Sequence, residues 1–166
     1  MLSIRPEQPA DVAAIYAVHA AAFPTDGEAR LVDALRAAGR LSVSRVAIEE
    51  RKVVGHVAFS TVTVAGATNG VGLGPVAVLP DCQKRGTGER LIRQGLDACR
   101  QAGFAFVVVL GEPAYYRRFG FEPAGDWGLV DEYGGGAAFQ ALELKPNAIP
   151  RGAGLVCYAP EFAAVV

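Results

Sequence analysis

The segment CQKRGTGERLIRQGL, from Cys82 to Leu96, places two adjacent cations and two glycines directly before a run with helical spacing. An apolar strand pattern, VGLGPVAVLP, precedes it, and a second apolar run, FAFVVVL, follows the helix pattern. A helix that begins this way presents unpaired backbone N–H groups and a positive partial charge, and glycines let a ligand approach those groups. The segment therefore predicts an anion site between a strand and a helix.

Glycines at these positions are compatible with several alternative motifs, which the neighbouring residues distinguish. A tight turn without a ligand is one alternative for Gly86 and Gly88, because glycines are common in loops. A P-loop requires a Lys-Ser or Lys-Thr pair after its last glycine, whereas Gly88 is followed by Glu89 and Arg90, so this motif is excluded. The run GLGPVA, 72–77, fits a loose dinucleotide fingerprint, but it leads into a strand instead of a helix and is also rejected.

The rest of the chain shows strand and helix patterns in the order strand, two helices, three strands, helix, strand, helix and strand. Gly74 and Pro75 interrupt the apolar strand before the glycine segment, and since proline cannot donate to a ladder, they predict a bulge or local splay. A glycine-rich stretch, Gly125 to Gly136, is the loop for which we expect mobility. The order of elements predicts an α/β protein.

Length and composition predict one domain with a full-sized core. The chain has 166 residues and a net charge of −1, so no global charge favours nucleic acid or an anionic membrane as a partner. Cys82, Cys99 and Cys157 are an odd number of widely spaced thiols, which indicates neither a disulfide framework nor a metal site. Glu7 and Asp11 lie where a signal peptide would need an apolar run. We therefore expect a soluble, cytoplasmic protein without a metal.

Two runs of the chain resemble motifs of the GCN5-related N-acetyltransferases (GNAT). In VAVLPDCQKRGTGERLI, the acetyl-CoA pattern Gln/Arg-x-x-Gly-x-Gly/Ala is met by Gln83, Gly86 and Gly88. GEPAYYRRFGFEPA, Gly111 to Ala124, resembles the Tyr-x-x-x-Gly-Phe motif that ends the same fold in its YhbS-like branch. The resemblance implies one GNAT domain over residues 1–166, with a mixed central sheet of about six to seven strands, splayed parallel central strands and about four flanking helices.

The resemblance also implies a cosubstrate, acetyl-CoA, whose pantetheine arm enters between two splayed strands, here Val71 to Leu79 and Phe104 to Leu110. A backbone amide near Val78 would polarise the thioester carbonyl. The implied reaction moves the acetyl group to a primary amine by direct attack in a ternary complex. The residues implied to bind the cosubstrate are Val76, Val78, Gln83, Lys84, Arg85, Gly86, Thr87, Gly88 and Tyr116.

Tyr116 is the predicted general acid. It occupies the family's tyrosine position, four residues before Gly120, and would protonate the departing thiolate. The alternative is that Tyr116 is a packing aromatic, a role that the adjacent Tyr115 fits better because neighbouring residues point to different faces of a helix.

The predicted base is Glu28, on the inward face of the second helix. However, TDGE, Thr25 to Glu28, also fits a capping box, in which the glutamate returns to the Thr25 N–H. His56 is an alternative base, although a core role is favoured for it and for His19. A base relayed through ordered water would require no named residue.

The acceptor amine is not fixed by the sequence. It can be a polyamine, an amino acid, an antibiotic, a protein N-terminus or a lysine, and acetyl itself is an assumption about the acyl group. Asp126, Asp131 and Glu132, with Trp127 and Tyr133, would hold a cationic amine if their loop closes over the cleft; a solvated polar loop is the alternative.

Two further functions stay open: a CoA-binding regulatory module without transfer, and a binder of another phosphate ligand such as a nucleotide. Assembly as a homodimer also stays open.

Overall fold

A computed structural model describes residues 1–152 and 154–165, and its central feature is one mixed sheet. Its longest path has seven strands in the order β1-β2-β3-β4-β5-β8-β6, while β9 pairs with both β3 and β7. The predicted mixed sheet is confirmed, and the three short strands β6, β7 and β9 are additional to the strands expected from the sequence. The strands are β1 Ser3–Pro6, β2 Leu41–Glu49, β3 Lys52–Val64, β4 Ala67–Val78, β5 Phe106–Leu110, β6 Glu122–Pro123, β7 Leu129–Asp131, β8 Phe139–Glu143 and β9 Gly154–Cys157.

In the part of the chain that the structure describes, four α-helices flank the sheet, as predicted: α1 Val12–Ala22, α2 Gly27–Ala37, α3 Thr87–Gln101 and α4 Pro113–Tyr116. Successive residues of β3 show how the helices are divided between the two faces, since alternate side chains of a strand point to opposite sides. Phe59 packs in the core beneath α3, whereas Ala58 packs in a separate core cluster with Ile15 of α1. Helices α1 and α2 therefore cover one face, and α3 covers the other.

The predicted bulge lies in β4. Val76 pairs with Val57 of β3 and Leu73 pairs with Phe59, so Gly74 and Pro75 together oppose one residue of β3. The pairing of β4 with its other neighbour ends just before this point, because parallel pairing with β5 covers only Gly70 to Gly72. Strand β5 continues to Leu110 and pairs there with β8. The two parallel strands therefore splay apart at the bulge, as expected.

Close packing of α3 on the sheet depends on a small residue. Gly95 is buried in the middle of α3, and a Cβ atom built there would overlap the ring of Phe59, whose side chain is fully buried. The amphipathic spacing predicted for this helix is confirmed, since Leu91, Ile92 and Leu96 are buried. The helix is thereby fixed against the sheet with its N-terminus beside the end of β4.

The segment from Gly125 to Gly136 was expected to be a mobile loop, and this interpretation is wrong in one respect: the segment contains regular structure. A 3-10 helix, Ala124–Trp127, leads into β7, which pairs in parallel with β9. Leu129 is buried and Val130 is exposed, which is the alternation of a strand with one covered face. Within the described residues, no helix is long and apolar enough to cross a membrane.

Candidate active site

A cavity of about 420 Å³ lies between the end of β4 and the N-terminus of α3. It brings together most of the residues that the sequence singled out for binding the cosubstrate. They are Val76, Val78, Gln83, Lys84, Gly86, Thr87 and Gly88. We call this space the glycine-loop cavity.

The backbone of the glycine loop is shaped for this position. Gly86 is the residue before α3 and has a φ of 81°, a left-handed conformation that side chains with a Cβ rarely adopt. The side-chain Nε2 of Gln83 donates a hydrogen bond of 2.9 Å to the Val78 carbonyl and so ties the loop to the end of β4. The first amides of the 15-residue helix α3 therefore border the cavity without an N-cap side chain hydrogen-bonded to them.

The cations of the loop divide between two directions. Lys84 lines the glycine-loop cavity, but the Arg85 guanidinium lies 3.4 Å from Glu49 and 2.9 Å from the Asp81 carbonyl. The Arg85 side chain borders a different depression, so only its backbone remains a candidate for phosphate binding. The Thr87 side chain is buried, with 3% exposed.

Five residues of the cavity wall were not among the predicted binding residues, and two of them, Tyr115 and Arg118, lie outside the segment from β4 to α3. Tyr115 lines the cavity, and its hydroxyl lies 3.8 Å from the position of a Cβ on Gly88. Arg118 lies over the Tyr115 ring, with 4.4 Å from its Cζ to the ring centroid. Their separation of three residues on a helical segment is the signal that could have identified them, because such residues share a face.

One edge of β4 faces the splay. Leu79 donates its N–H to the Val54 carbonyl of β3, and backbone groups of a strand alternate in direction, so the N–H groups of Val78 and Val76 point away from β3. Beyond Gly72, β4 has no strand partner on that side in residues 1–152 and 154–165. This open edge provides hydrogen-bonding groups for an extended ligand.

A second cavity, of about 250 Å³, lies on the other side of the bulge. Leu73, Gly74 and Pro75 of β4 line it, whereas the next residues, Val76 to Val78, line the glycine-loop cavity. The two cavities thus meet at the β4 bulge. We call the second space the bulge cavity.

Glu28 lines the bulge cavity from the first turn of α2. The capping-box alternative is not found: the Thr25 hydroxyl accepts a 3.3 Å hydrogen bond from the Gly27 N–H, and α2 has no side-chain cap. Within the described part of the chain, Glu28 forms no hydrogen bond or ion pair. Glu28 therefore forms part of the cavity wall and does not cap the helix.

Tyr116 lines neither cavity, although the adjacent Tyr115 lines the glycine-loop cavity. Its ring contacts Tyr115 edge to face at 5.1 Å and Phe121 at 5.8 Å between centroids. Burial raises the pKa of its hydroxyl to about 12, with a smaller contribution from Tyr115. Tyr116 also contributes to the raised pKa of Tyr158, which lines the bulge cavity. The hydroxyl is protonated at neutral pH, as an acid must be, and its catalytic role stays a prediction.

His56 is fully buried, contacts neither cavity, and uses both ring nitrogens inside the protein. The Ser44 hydroxyl donates to Glu7 at 2.6 Å, so it accepts from His56 Nε2, at 2.7 Å. His56 Nδ1 then accepts from His19 Nε2, at 2.8 Å. This chain assigns both tautomers and supports the core role favoured for His56 and His19.

Burial sets the pKa values in this network. Burial lowers the pKa of His56. Burial, together with the nearby His56 and Arg36, also lowers the pKa of His19, to about 3. Burial alone would raise the pKa of Glu7, but the nearby His56 ring, 3.7 Å away, and hydrogen bonds from Arg36 and Ser44 outweigh it and hold that pKa well below 4.5. Both imidazoles are thus neutral at neutral pH, and Glu7 is ionised.

Two of the three acidic residues in the segment 125–136 already accept hydrogen bonds from backbone N–H groups of the protein. Asp131 is buried and accepts N–H donors from Tyr133 and Gly135, at 3.0 and 2.7 Å. Glu132 accepts the N–H of Tyr158 at 2.8 Å. Asp126 is exposed and lines neither cavity. The three carboxylates therefore do not form the predicted binding site for a cationic amine, although Tyr133 does line the bulge cavity. Among the described residues, no group of three or more acidic, histidine or cysteine side chains is placed to hold a metal.

Comparison with known proteins agrees with this geometry. Residues 3–124 match the family described as "Acetyltransferase (GNAT) domain". The chain is 41% identical over 162 residues to the uncharacterized N-acetyltransferase YhbS of Escherichia coli K12, with 96% of this chain and 97% of that protein covered. It is 40% identical over 129 residues to the uncharacterized N-acetyltransferase YjhQ of the same strain, with 74% and 71% covered.

Two solved structures are also similar. The crystal structure of E. coli YhbS in complex with CoA superposes with a TM-score of 0.93 at 39% identity, with 98% of this chain and 92% of that chain covered. A GNAT family acetyltransferase from Brucella melitensis in complex with acetyl-CoA gives a TM-score of 0.83 at 42% identity, with 98% of each chain covered.

Proposed function

The chain belongs to the GNAT family of acetyltransferases, and from that membership we propose that it transfers the acetyl group of acetyl-CoA to a primary amine, as a single acyltransferase domain over residues 1–166. The observation that carries the proposal is the meeting of two cavities at the β4 bulge. One cavity has a helix N-terminus for a pyrophosphate, and the other has a carboxylate for an amine. Two substrates bound in this way would form a ternary complex with their reacting groups at the splay.

The glycine-loop cavity fits acetyl-CoA in both charge and shape. The pyrophosphate would accept hydrogen bonds from amides of Arg85, Gly86, Thr87 and Gly88, supported by the Lys84 ammonium. The pantetheine would pair with the open edge of β4 at Val76 and Val78. Two relatives bind CoA or acetyl-CoA, which supports the same ligand for this chain.

Acetyl-CoA supplies an activated acetyl group as a thioester, and the residues of this chain would position it and move protons. The amine nitrogen forms a bond to the acetyl carbon while the carbon–sulfur bond breaks. The ammonium first loses one proton to Glu28, directly or through water, and the nitrogen loses a second proton to solvent after its bond to the acetyl carbon has formed. The Val78 N–H stabilises the negative charge that develops on the carbonyl oxygen. Tyr116 gives its proton to the departing thiolate, and solvent restores it.

The first test measures thermal unfolding of the purified protein with acetyl-CoA, CoA or ATP. A ligand at about a hundred times its dissociation constant adds roughly 2.7 kcal/mol of stability. We expect stabilisation by both CoA species and none by ATP. A shift with ATP alone would favour the nucleotide-binding alternative, and no shift with either CoA species would contradict the proposal. Thiol release in the presence of an amine then separates an enzyme from a regulatory CoA-binding module.

A further inference from the structure

The walls of the bulge cavity are almost entirely apolar or aromatic. Leu31 of α2, Leu73 of β4 and Leu110 of β5 contribute aliphatic side chains from three different elements. Phe23 and Phe162 add aromatic rings. Such a lining favours a ligand that leaves water with an apolar body.

Three of the aromatic rings form a continuous wall. Tyr133 and Tyr158 have ring centroids 6.2 Å apart, and Tyr158 and Phe162 are separated by 5.2 Å. The Tyr158 hydroxyl is buried and has no hydrogen-bond partner within the described residues. Because the hydroxyl is not exposed to the cavity, Tyr158 contributes its ring to this wall and no polar atom.

The cavity contains a single carboxylate among the described residues, that of Glu28. The neighbouring acids are already paired: Asp26 with Arg30 at 2.8 Å and with Tyr16 at 2.9 Å, Asp131 and Glu132 with backbone N–H groups. The cavity lining includes no lysine or arginine among the residues that the structure describes. One cationic group can therefore be matched there, and a second cannot.

We infer that the acceptor is a small primary amine with one cationic nitrogen and an apolar, preferably aromatic, body that fills the bulge cavity with its nitrogen toward Glu28. This inference rests on the proposed acetyl transfer and names its substrate class. The volume of about 250 Å³ lies below the usual range of drug-sized sites, which favours a small molecule over a peptide. A second ammonium group would lose its hydration against apolar walls without an anion to replace it, so polyamines are disfavoured.

The test uses pairs of amines that differ in one group, with thiol release from acetyl-CoA as the assay. Butylamine and putrescine differ only in the second ammonium group, and we expect kcat/KM to favour butylamine by roughly 100-fold, as for sites that leave a charged or polar group unmatched. Phenethylamine should exceed butylamine because its ring meets the aromatic wall. Phenylalanine should be poorer than phenethylamine because its carboxylate would lie near Glu28.

Two variants connect the preference to this cavity. Glu28→Gln removes the carboxylate that both holds the ammonium and takes its proton. It should therefore lower kcat and also raise the KM for butylamine roughly tenfold, the loss of one charged hydrogen bond, without changing the stabilisation by acetyl-CoA. Tyr133→Glu adds a second carboxylate to the wall and should move the preference toward putrescine. Val130→Glu is the matched control: it lies three residues away with 59% of its side chain exposed, outside the cavity, and should leave the ratio unchanged.

The outcomes separate this inference from the function on which it rests. If neither CoA species stabilises the protein, the acetyl-transfer proposal itself fails, and the inference fails with it. Stabilisation by acetyl-CoA without turnover of any monoamine would overturn only the inference. Equal or better use of putrescine, preference for a peptide with an N-terminal phenylalanine, or an unchanged ratio in folded Tyr133→Glu protein would also overturn it.

Discussion

Tyr116→Phe removes the proposed acid while keeping the aromatic contacts that hold the ring. The Tyr116 hydroxyl forms no hydrogen bond within the described residues, so its loss should change the free energy of unfolding by less than about 0.5 kcal/mol. A general acid contributes roughly 100-fold or more to the rate, so we expect kcat to fall by about that factor at saturating acetyl-CoA. The assay is thiol release, with acetyl-CoA affinity measured separately and expected to be unchanged.

A substitution at a neighbouring residue, Gly111, can displace the Tyr116 ring without changing Tyr116 itself. A Cβ on Gly111 would lie 3.0 Å from Tyr116 Cδ2 and closer still to Cε2, so Gly111→Ala must displace the ring. A displacement of roughly 1 Å at a reacting group can cost 100-fold in rate. If both changes act through the hydroxyl, Gly111→Ala should reduce kcat in the wild type but hardly at all in Tyr116→Phe. Multiplicative effects, or a kcat within about twofold of wild type for Tyr116→Phe, would refute this reasoning. Tyr115→Phe is the matched control and should alter acetyl-CoA affinity instead of kcat.

Three further predictions concern stability and cofactor affinity. Gly86→Ala should cost about 1–2 kcal/mol in urea unfolding and weaken acetyl-CoA binding, because Gly86 has a φ of 81° although its surroundings are open; a neutral change would contradict this. Gly95→Ala should destabilise the protein by about 1–3 kcal/mol despite the better helix propensity of alanine, because its Cβ overlaps a buried ring of β3; a gain in urea midpoint would show that the core can shift. Burial lowers the pKa of both His19 and His56, so the fold favours neutral imidazoles. Their contribution to stability is complete above the unfolded pKa of 6.5 and is lost as the pH falls through the lowered pKa of each, about 3 for His19. Urea unfolding between about pH 7.5 and about pH 5 should therefore show stability falling by up to about 1.4 kcal/mol per pH unit for each histidine, and a flat profile would contradict the assignment.

Much of the fold was predictable because it depends on local patterns. The periodicity of α3, the hairpin of β2 and β3 and the bulge at Gly74 and Pro75 are each recorded in a few consecutive residues, and all three are confirmed. The short strands β6, β7 and β9 were not predicted. Strands of two to four residues carry too little alternation to be distinguished from a loop, and their pairing is set by long-range contacts.

The site was predictable to different degrees on its two sides. The glycine-loop residues are adjacent in sequence, so one motif located most of the cavity wall. The bulge cavity is assembled from α2, β4, β5 and the C-terminal segment, and nothing in the sequence announces that Glu28, Tyr133 and Tyr158 converge. The direction of the Arg85 side chain was also hidden, because it depends on Glu49 in a distant hairpin. The sequence shows that Arg85 is a cation, but only the fold determines which acidic side chain it pairs with.

The open edge of β4 also bears on how the protein avoids self-association. An unpaired strand at the margin of a sheet is a template for another chain, and many β proteins protect such margins with charges or prolines. Here the N–H groups of Val76 and Val78 that point away from β3 lie in the interior of the sheet, between β3 and the departing β5, with Tyr115 and the start of α3 beside them. A foreign strand could pair there over only a few residues before meeting these neighbours. The splay therefore keeps backbone groups available to a narrow ligand while denying them to a second polypeptide.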